Sequence, residues 1–468
     1  MNTISIEENT APAFKKQKLE TVYSIDDSDN SDIEKDVQEN RTAENDEKTD
    51  FEVPETQTHK EPTMEEIFDN FNLKRIVREN HGDPIKQICF NFVKPQNVKE
   101  SEPKHEEMDC DEEKSEESDS VPTKTESFIV QTDIEFVYNQ GQTHKDHEDS
   151  SNIILAISNQ QVNVYDNEHC GDHLDIMSHF SAAQNDILLS ACWVPAKSDS
   201  VFVTGYESGK TGIFSVAYSK EICTIEAHND KVIDVQPHPT IPKLFLSVSL
   251  DGTTKLWDYE KNLCLCRFDY GASVSSFSKD GKYIATGSKN GEVRMWEIPD
   301  FVDFEESRNY PKIYTVEDSN LIHSGKKHYG SKNDCIRVLN GTILVKNIGG
   351  RFELFDIQSK DLIKSFNVPD NGESSCKFDV RQVNDENYVC VGNSSGSVYI
   401  FEVKTGRVVR KLSHKRSVRP VTSCVFSKSC RNLIYSNDSS FLWRYDYIDA
   451  KMMKKWESLS NSEDPKEH

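Results

Sequence analysis

His228, Ser247 or Ser249, Asp251 and Trp257 are residues whose types invite a chemical reading. Imidazole, hydroxyl and carboxylate are the parts of acid–base and nucleophilic catalysis. The same parts recur as His414, Ser436 and Asp438, with Tyr445 in place of the indole. Recurrence argues against a reaction centre, because a chain of hydrogen bonds through imidazole, carboxylate, hydroxyl and indole N–H can hold a structural unit wherever that unit is repeated. Gly392-Asn-Ser394-Ser-Gly396 matches the nucleophile-elbow pattern, but that motif needs a strand-to-helix turn and this copy sits between two strand-like runs. Neither a Gly-rich phosphate loop nor a zinc-protease motif is present. His169-Cys-Gly-Asp-His173 and Cys264-Leu-Cys266 carry ligand-type residues, yet the 12 cysteines include no C-x-x-C pair to complete a tetrahedral metal site. The cysteines, several of them (Cys192, Cys390, Cys424) within apolar runs, read as small buried hydrophobes of a reducing compartment. The sequence thus predicts no catalytic residues, no metal and no cofactor.

The elements that position these residues are legible in Ser247-Val-Ser-Leu-Asp-Gly-Thr-Thr-Lys-Leu-Trp-Asp258, two strand-like runs around an Asp-Gly turn. Turn pairs recur at Asn159-Gln160, Ser208-Gly209, Asp251-Gly252, Asn290-Gly291, Gly349-Gly350, Ser395-Gly396 and Asp438-Ser439. The strands that follow them close on Tyr165, Phe214, Trp257, Trp296, Phe355, Phe401 and Tyr445. Successive aromatics lie 49, 43, 39, 59, 46 and 44 residues apart. Forty-odd residues is the length of a four-stranded propeller blade, so the expected fold is an all-β, seven-bladed WD-repeat propeller, with a longer excursion near Phe301–Lys327. Closing such a ring requires the last blade to lose its unpaired edge. Leu73-Lys-Arg-Ile-Val-Arg78 is the expected closing strand. Strand order around the first blade stays open, since Ile134-Glu-Phe-Val-Tyr138 is also strand-like.

Composition sets the domain limits. Of 468 residues only 35% are hydrophobic, and the net charge is −25. Residues 1–70 hold 20 acidic and 7 basic side chains, and residues 95–127 hold 12 and 4, so the acidity is concentrated in two segments that cannot bury enough surface to offset chain ordering. The expected organisation is a disordered acidic tail (1–70), a propeller (71–448) with a disordered acidic insertion (95–127) in its first blade, and a C-terminal tail (449–468). A nearly neutral propeller does not coat DNA by bulk charge. One basic cluster stands out, Arg407, Arg410, Lys411, Lys415, Arg416 and Arg419, extended by Lys451, Lys454 and Lys455. It reads either as a solvated face or as a contact patch for nucleosomal DNA or an acidic partner, so DNA contact is expected to be weak or indirect. Lys15-Lys16-Gln17-Lys18 resembles a nuclear-import patch. MNTISIEENT lacks the apolar centre of a secretory signal, and no run approaches the ~18 apolar residues of a membrane span. A soluble intracellular protein is expected.

Three segments are more specific than the repeat: His81-Gly-Asp-Pro-Ile-Lys-Gln-Ile-Cys-Phe-Asn-Phe92, Asn333-Asp-Cys-Ile-Arg-Val-Leu-Asn-Gly-Thr-Ile-Leu-Val-Lys346, and Ser413-His-Lys through Phe441-Leu-Trp-Arg-Tyr-Asp446. In these the chain resembles the extra sex combs and embryonic ectoderm development family of WD-repeat Polycomb proteins, as a divergent member such as the nematode maternal-effect-sterile branch. The resemblance spans about 71–448. It implies a nuclear, noncatalytic scaffold subunit of a Polycomb repressive complex 2-like histone H3 methyltransferase, with an Enhancer-of-zeste-type SET-domain subunit as partner and the histone H3 tail or nucleosome as a further one. The family also cages a methylated lysine in aromatic side chains by cation–π contact. Carried over, the four cage positions are Lys86, Leu189, Cys376 and Lys377, none aromatic, so methyl-lysine reading is expected to be lost. The competing reading is another interaction protein, a substrate receptor of a ubiquitin ligase or a histone chaperone.

Overall fold

The computed structural model describes residues 62–91, 153–167, 174–182, 186–194, 199–298, 311–323 and 331–448. They form seven sheets, six of four strands and one of five. Within each sheet the first four strands pair antiparallel, as in blade three. The first strands of the blades are Gln87–Phe90, Leu188–Val194, Val232–Pro237, Ala272–Phe277, Asn333–Val338, Asp379–Val383 and Val421–Phe426. They pack around a common axis, where side chains of blades three and six, which are not neighbours, meet: Lys377 Nζ lies 3.0 Å from Asp234 Oδ1. This is the seven-bladed propeller that the spacing of turns and aromatics predicts.

Inner strands are covered on both faces by neighbouring blades, so they read as continuous apolar runs. All six residues of Val201–Tyr206 are buried, whereas five of six in the outermost strand Leu362–Asn367 are exposed. Turn glycines then dock one blade on the next. Gly209 (φ +90°) and Gly396 (φ +85°) adopt a backbone conformation that side chains disfavour. A Cβ on them would lie 2.4 Å from the carbonyl oxygen of His228 and 2.1 Å from that of Ser417.

Closure also follows the expectation. Phe71–Arg78 pairs antiparallel with Phe441–Tyr447 as the outermost strand of blade seven. The seam to blade one is tied by Arg75 to Asp175 and by buried Arg444, which donates to the backbone and side chain of Asn167 and to Asp446 (2.7 Å).

Two expectations change. Acidic composition extends the disordered tail to residue 70, but Met64–Asp69 is a helix with a complete capping box between Thr63 and Glu66. It is ordered because Met64, Ile67 and Phe68 are buried, Phe68 against Phe71 and Tyr388. The excursion, which falls between the third and fourth strands of blade four, is the second. Lys312–Tyr314 returns to blade three as a fifth strand, parallel to Leu263–Phe268, with Tyr314 stacked 4.6 Å from Phe268. Leu321–His323 then completes blade four, and Lys360 of blade five donates to Ser319 O (2.9 Å).

In blade one, Asn91 N–H donates to Ile153 O (3.0 Å), so the chain leaves for residues 92–152 and rejoins at one hydrogen bond. The acidic insertion, Ile134–Tyr138, residues 1–61 with Lys15–Lys18, His169–His173, residues 301–310 and residues 449–468 lie outside the described residues. Among the described residues no helix is long and apolar enough to cross a membrane.

Candidate binding site at the channel mouth

The upper face carries the turns before each third strand and the loops entering each first strand. There the first and second strands slip register by one residue, leaving Leu189, Ile233, Ser273, Asp334 and Thr422 unpaired in blades two, three, four, five and seven. Counting back from equivalent turns puts Lys86 and Cys376 at the same place in blades one and six, because Gln87 faces Ile157 and Asp379 faces Cys390. The sequence-predicted positions Lys86, Leu189 and Cys376 therefore share one structural place, and Lys377 follows it.

None of the four offers a π face. Lys86 Nζ donates to Leu188 O (2.6 Å), and burial pushes its amine below the usual lysine range. Leu189 is half-buried. Cys376 is fully buried, its sulfur 3.7 Å from Cys424 Sγ and 3.3 Å from the Gly392 nitrogen. Burial opposes the charge of Lys377, but the Asp234 carboxylate outweighs it and holds the amine above the lysine range. The nearby Phe378 is 1% exposed and its ring lies 5.0 Å from Phe352.

Below the mouth the carboxylates are already engaged. Asp234 accepts from Lys377 and from Ser275 N–H (2.9 Å). Asp334 accepts from Lys346 Nζ (2.7 Å) and Cys376 N–H (3.1 Å), all within a buried layer. Among the described residues no cluster of three or more His, Cys, Asp or Glu is placed to hold a metal. Cys264 and Cys266 lie on blade three's fourth strand, facing Trp257 and Leu256. Ser394 Oγ donates to Asp370 O (2.8 Å) in a strand-to-strand turn.

The blade networks differ from one another. In blade three, His228 joins Asp251 (3.0 Å) through Nδ1 and Ser247 Oγ (2.7 Å) through Nε2, and Trp257 Nε1 donates to Ser247 Oγ (3.0 Å). Of the two serines considered, Ser249 instead donates to Asp230 O (2.8 Å). Burial pushes His228 down to about 4; burial raises Asp251, but bonds from Thr253, Asn229 and His228 bring it to about 2.

The network expected in blade seven does not form. Ser247 faces Lys255 and Trp257 faces Phe245, whereas Tyr435 faces Trp443 and Tyr445 faces Leu433. Tyr435 thus stands where Ser247 does, and its ring stacks on Trp443 and Tyr445. His414 Nδ1 accepts from Arg416 N–H (3.1 Å), Ser436 bonds Thr422 (2.8 Å), and Asp438 is exposed. Blade one contains a network that the sequence reading missed: buried Glu79 accepts from Tyr165 OH (2.7 Å) and bonds His81.

The basic cluster divides. Arg407 pairs with Glu65 and Glu402 (3.7 Å), and Arg410 with Asp69 (3.7 Å), so the capped helix covers this end. Lys411, Lys415, Arg416 and Arg419 remain exposed.

A family model for the WD domain, G-beta repeat, matches residues 219–258 and 264–297. The Polycomb group protein FIE2 of Zea mays is 20% identical over 329 residues, covering 64% of this chain and 84% of that protein. The Polycomb protein esc of Drosophila melanogaster is 19% identical over 336 residues, covering 64% and 78%. Among solved structures, a chain of a humanized mutant of the Chaetomium thermophilum Polycomb Repressive Complex 2 superimposes with a TM-score of 0.59 at 12% identity, covering 80% of this chain and 97% of that one. A chain of apo Chaetomium thermophilum Polycomb Repressive Complex 2 in an autoinhibited state gives 0.54 at 13% identity, covering 63% and 90%. The structural likenesses speak to the fold, and the sequence likenesses extend well beyond the two matched repeats: the chain is a WD-repeat β-propeller protein, and the Polycomb group proteins of the FIE and esc type are among its relatives.

Proposed function

We propose that this chain is a noncatalytic scaffold subunit of a Polycomb repressive complex 2-like histone H3 lysine methyltransferase. It binds an Enhancer-of-zeste-type SET-domain subunit and acts in the nucleus in transcriptional repression. The observation that carries this reading is the likeness to FIE and esc proteins along 64% of the chain, most of the propeller, a longer stretch than the 44% and 48% matched by relatives outside the Polycomb group. The fold suits the role, since seven packed sheets give rigid faces on which an extended or helical partner segment can lie.

In this reading the scaffold has lost methyl-lysine recognition. Lysines at two of the four cage positions repel a methylammonium, and neither leucine nor a thiol supplies the quadrupole that attracts one. Exposed Lys411, Lys415 and Arg419 leave a small surface for weak contact with nucleosomal DNA or an acidic partner.

Affinity purification of the tagged chain from nuclei, followed by a nucleosome methylation assay with and without it, tests the proposal. A SET-domain methyltransferase should co-purify and lose most activity when the chain is withdrawn. Recovery with ubiquitin-ligase components, or with free histones alone, would replace this reading.

A further inference from the structure

One side chain crosses the channel itself. The segment entering blade six fixes Lys377 beside blade seven's first strand: its N–H donates to Thr422 O (2.9 Å) and its carbonyl accepts from Cys424 N–H (3.0 Å). With the backbone held on one side of the ring, the side chain reaches the other, where Nζ lies 3.0 Å from Asp234 Oδ1 of blade three. In a ring of seven sheets, blades three and six are as far apart as two blades can be. The lysine therefore spans the channel mouth.

The carboxylate at the far end is built into the wall. The Asp234 side chain is 1% exposed, against 21% for Lys377. Ser275 N–H donates to its Oδ2 (2.9 Å) and Gln236 Nε2 to its Oδ1 (3.3 Å), both neutral donors. Among the described residues Lys377 is the one cation paired with it. Arg337, which also acts on this carboxylate, spends Nη1 on Ile336 O (2.7 Å) and lies 5.7 Å from the Phe378 ring. Other acids near the mouth are taken, Asp334 by Lys346 (2.7 Å) and Asp379 by Arg381 (3.0 Å). Without its lysine, Asp234 would be a sealed and uncompensated charge, which costs far more than the pair contributes.

We infer that Asp234 is a binding site for a primary ammonium group and that Lys377 fills it in cis, so that the chain's own lysine closes the channel mouth. Recognition is by N–H donation to a fixed carboxylate, which a quaternary ammonium cannot make and which needs no π face. The inference concerns the isolated propeller and stands apart from the methyltransferase partnership.

The test is chemical rescue of the full chain, read as thermal unfolding. Lys377→Ala should unfold about 5 °C or more below the unsubstituted chain. Propylammonium replaces the side-chain atoms that alanine lacks and should restore part of that loss in a saturable way. Propanol, with the shape but no charge, and tetramethylammonium, with the charge but no N–H, should not, and the unsubstituted chain should respond to none of them. If Lys377→Ala does not fold alone, recovery of folding with propylammonium present gives the same reading. Asp234→Asn with Lys377→Met removes both charges and keeps the volume; this variant should fold, exceed Lys377→Ala in stability and ignore propylammonium. Lys377→Ala as stable as the unsubstituted chain, equal restoration by propanol or tetramethylammonium, or a double variant that responds as Lys377→Ala does would each overturn the assignment.

Discussion

Blades three and seven hold the same four-strand geometry by opposite chemistry. Blade three places His228, Asp251, Ser247 and Trp257 in one hydrogen-bonded line. Blade seven fills the equivalent space with the Tyr435, Trp443 and Tyr445 rings and takes its outermost strand from Phe71–Arg78. A polar relay is sensitive to every member, because an orphaned donor in a buried site costs more than a hydrogen bond contributes. Stacked rings tolerate loss of a polar atom but depend on being covered, and the covering comes from a distant part of the chain.

Breaking that cover should have the largest effect. Phe68→Ala removes a fully buried ring packed on Phe71, Tyr388 and Phe426. It should cost about 3–5 kcal/mol, read by chemical denaturation, with hydrogen exchange rising first along Phe441–Tyr447. Early loss of protection in blade three would contradict the contrast.

Acid should then single out blade three. An unfolded histidine takes up its proton near pH 6.5, while His228 and His238, pushed down by burial, do so near 4. Stability from each is complete above about pH 6.5 and is lost as the pH falls toward 4, up to about 3 kcal/mol for His228. His414 of blade seven is also lowered, by burial and then by Arg416 and Lys415, but it is only half-buried. Exchange measured between pH 7 and pH 4 should show blade three opening first; uniform loosening would remove the distinction. A smaller effect, about 2 kcal/mol, is expected from Ser247→Ala, which leaves the Trp257 indole and His228 Nε2 unsatisfied. Ser436→Ala in blade seven should cost distinctly less, and comparison of the two unfolding curves checks it.

The propeller was legible because turn, apolar strand and closing aromatic recur together, and because Leu73–Arg78 is strand-like where a closing strand is needed. The relay of blade three was legible for the same reason. Blade seven misled because His414 and Asp438 nearly keep the sequence spacing of His228 and Asp251 while Tyr435 occupies the space a hydroxyl needs. Glu79, His81 and Tyr165 escaped notice because the acid precedes the histidine instead of standing in the turn. The helix at Met64–Asp69 carried its signal, Thr63-x-x-Glu66 before apolar residues, but the surrounding acidity masked it. The parallel strand Lys312–Tyr314 had no comparable signal, since three residues show no period.

The hydrogen bond from Asn91 to Ile153 bears on how blade one accommodates so much extra sequence. A flexible loop closed between two paired residues adds a thermodynamic burden that grows only with the logarithm of its length. A doubling costs about 0.6 kcal/mol. Residues can therefore be gained or lost there over generations almost without penalty to the ring, which makes this junction the natural place for the lineage to try new sequence.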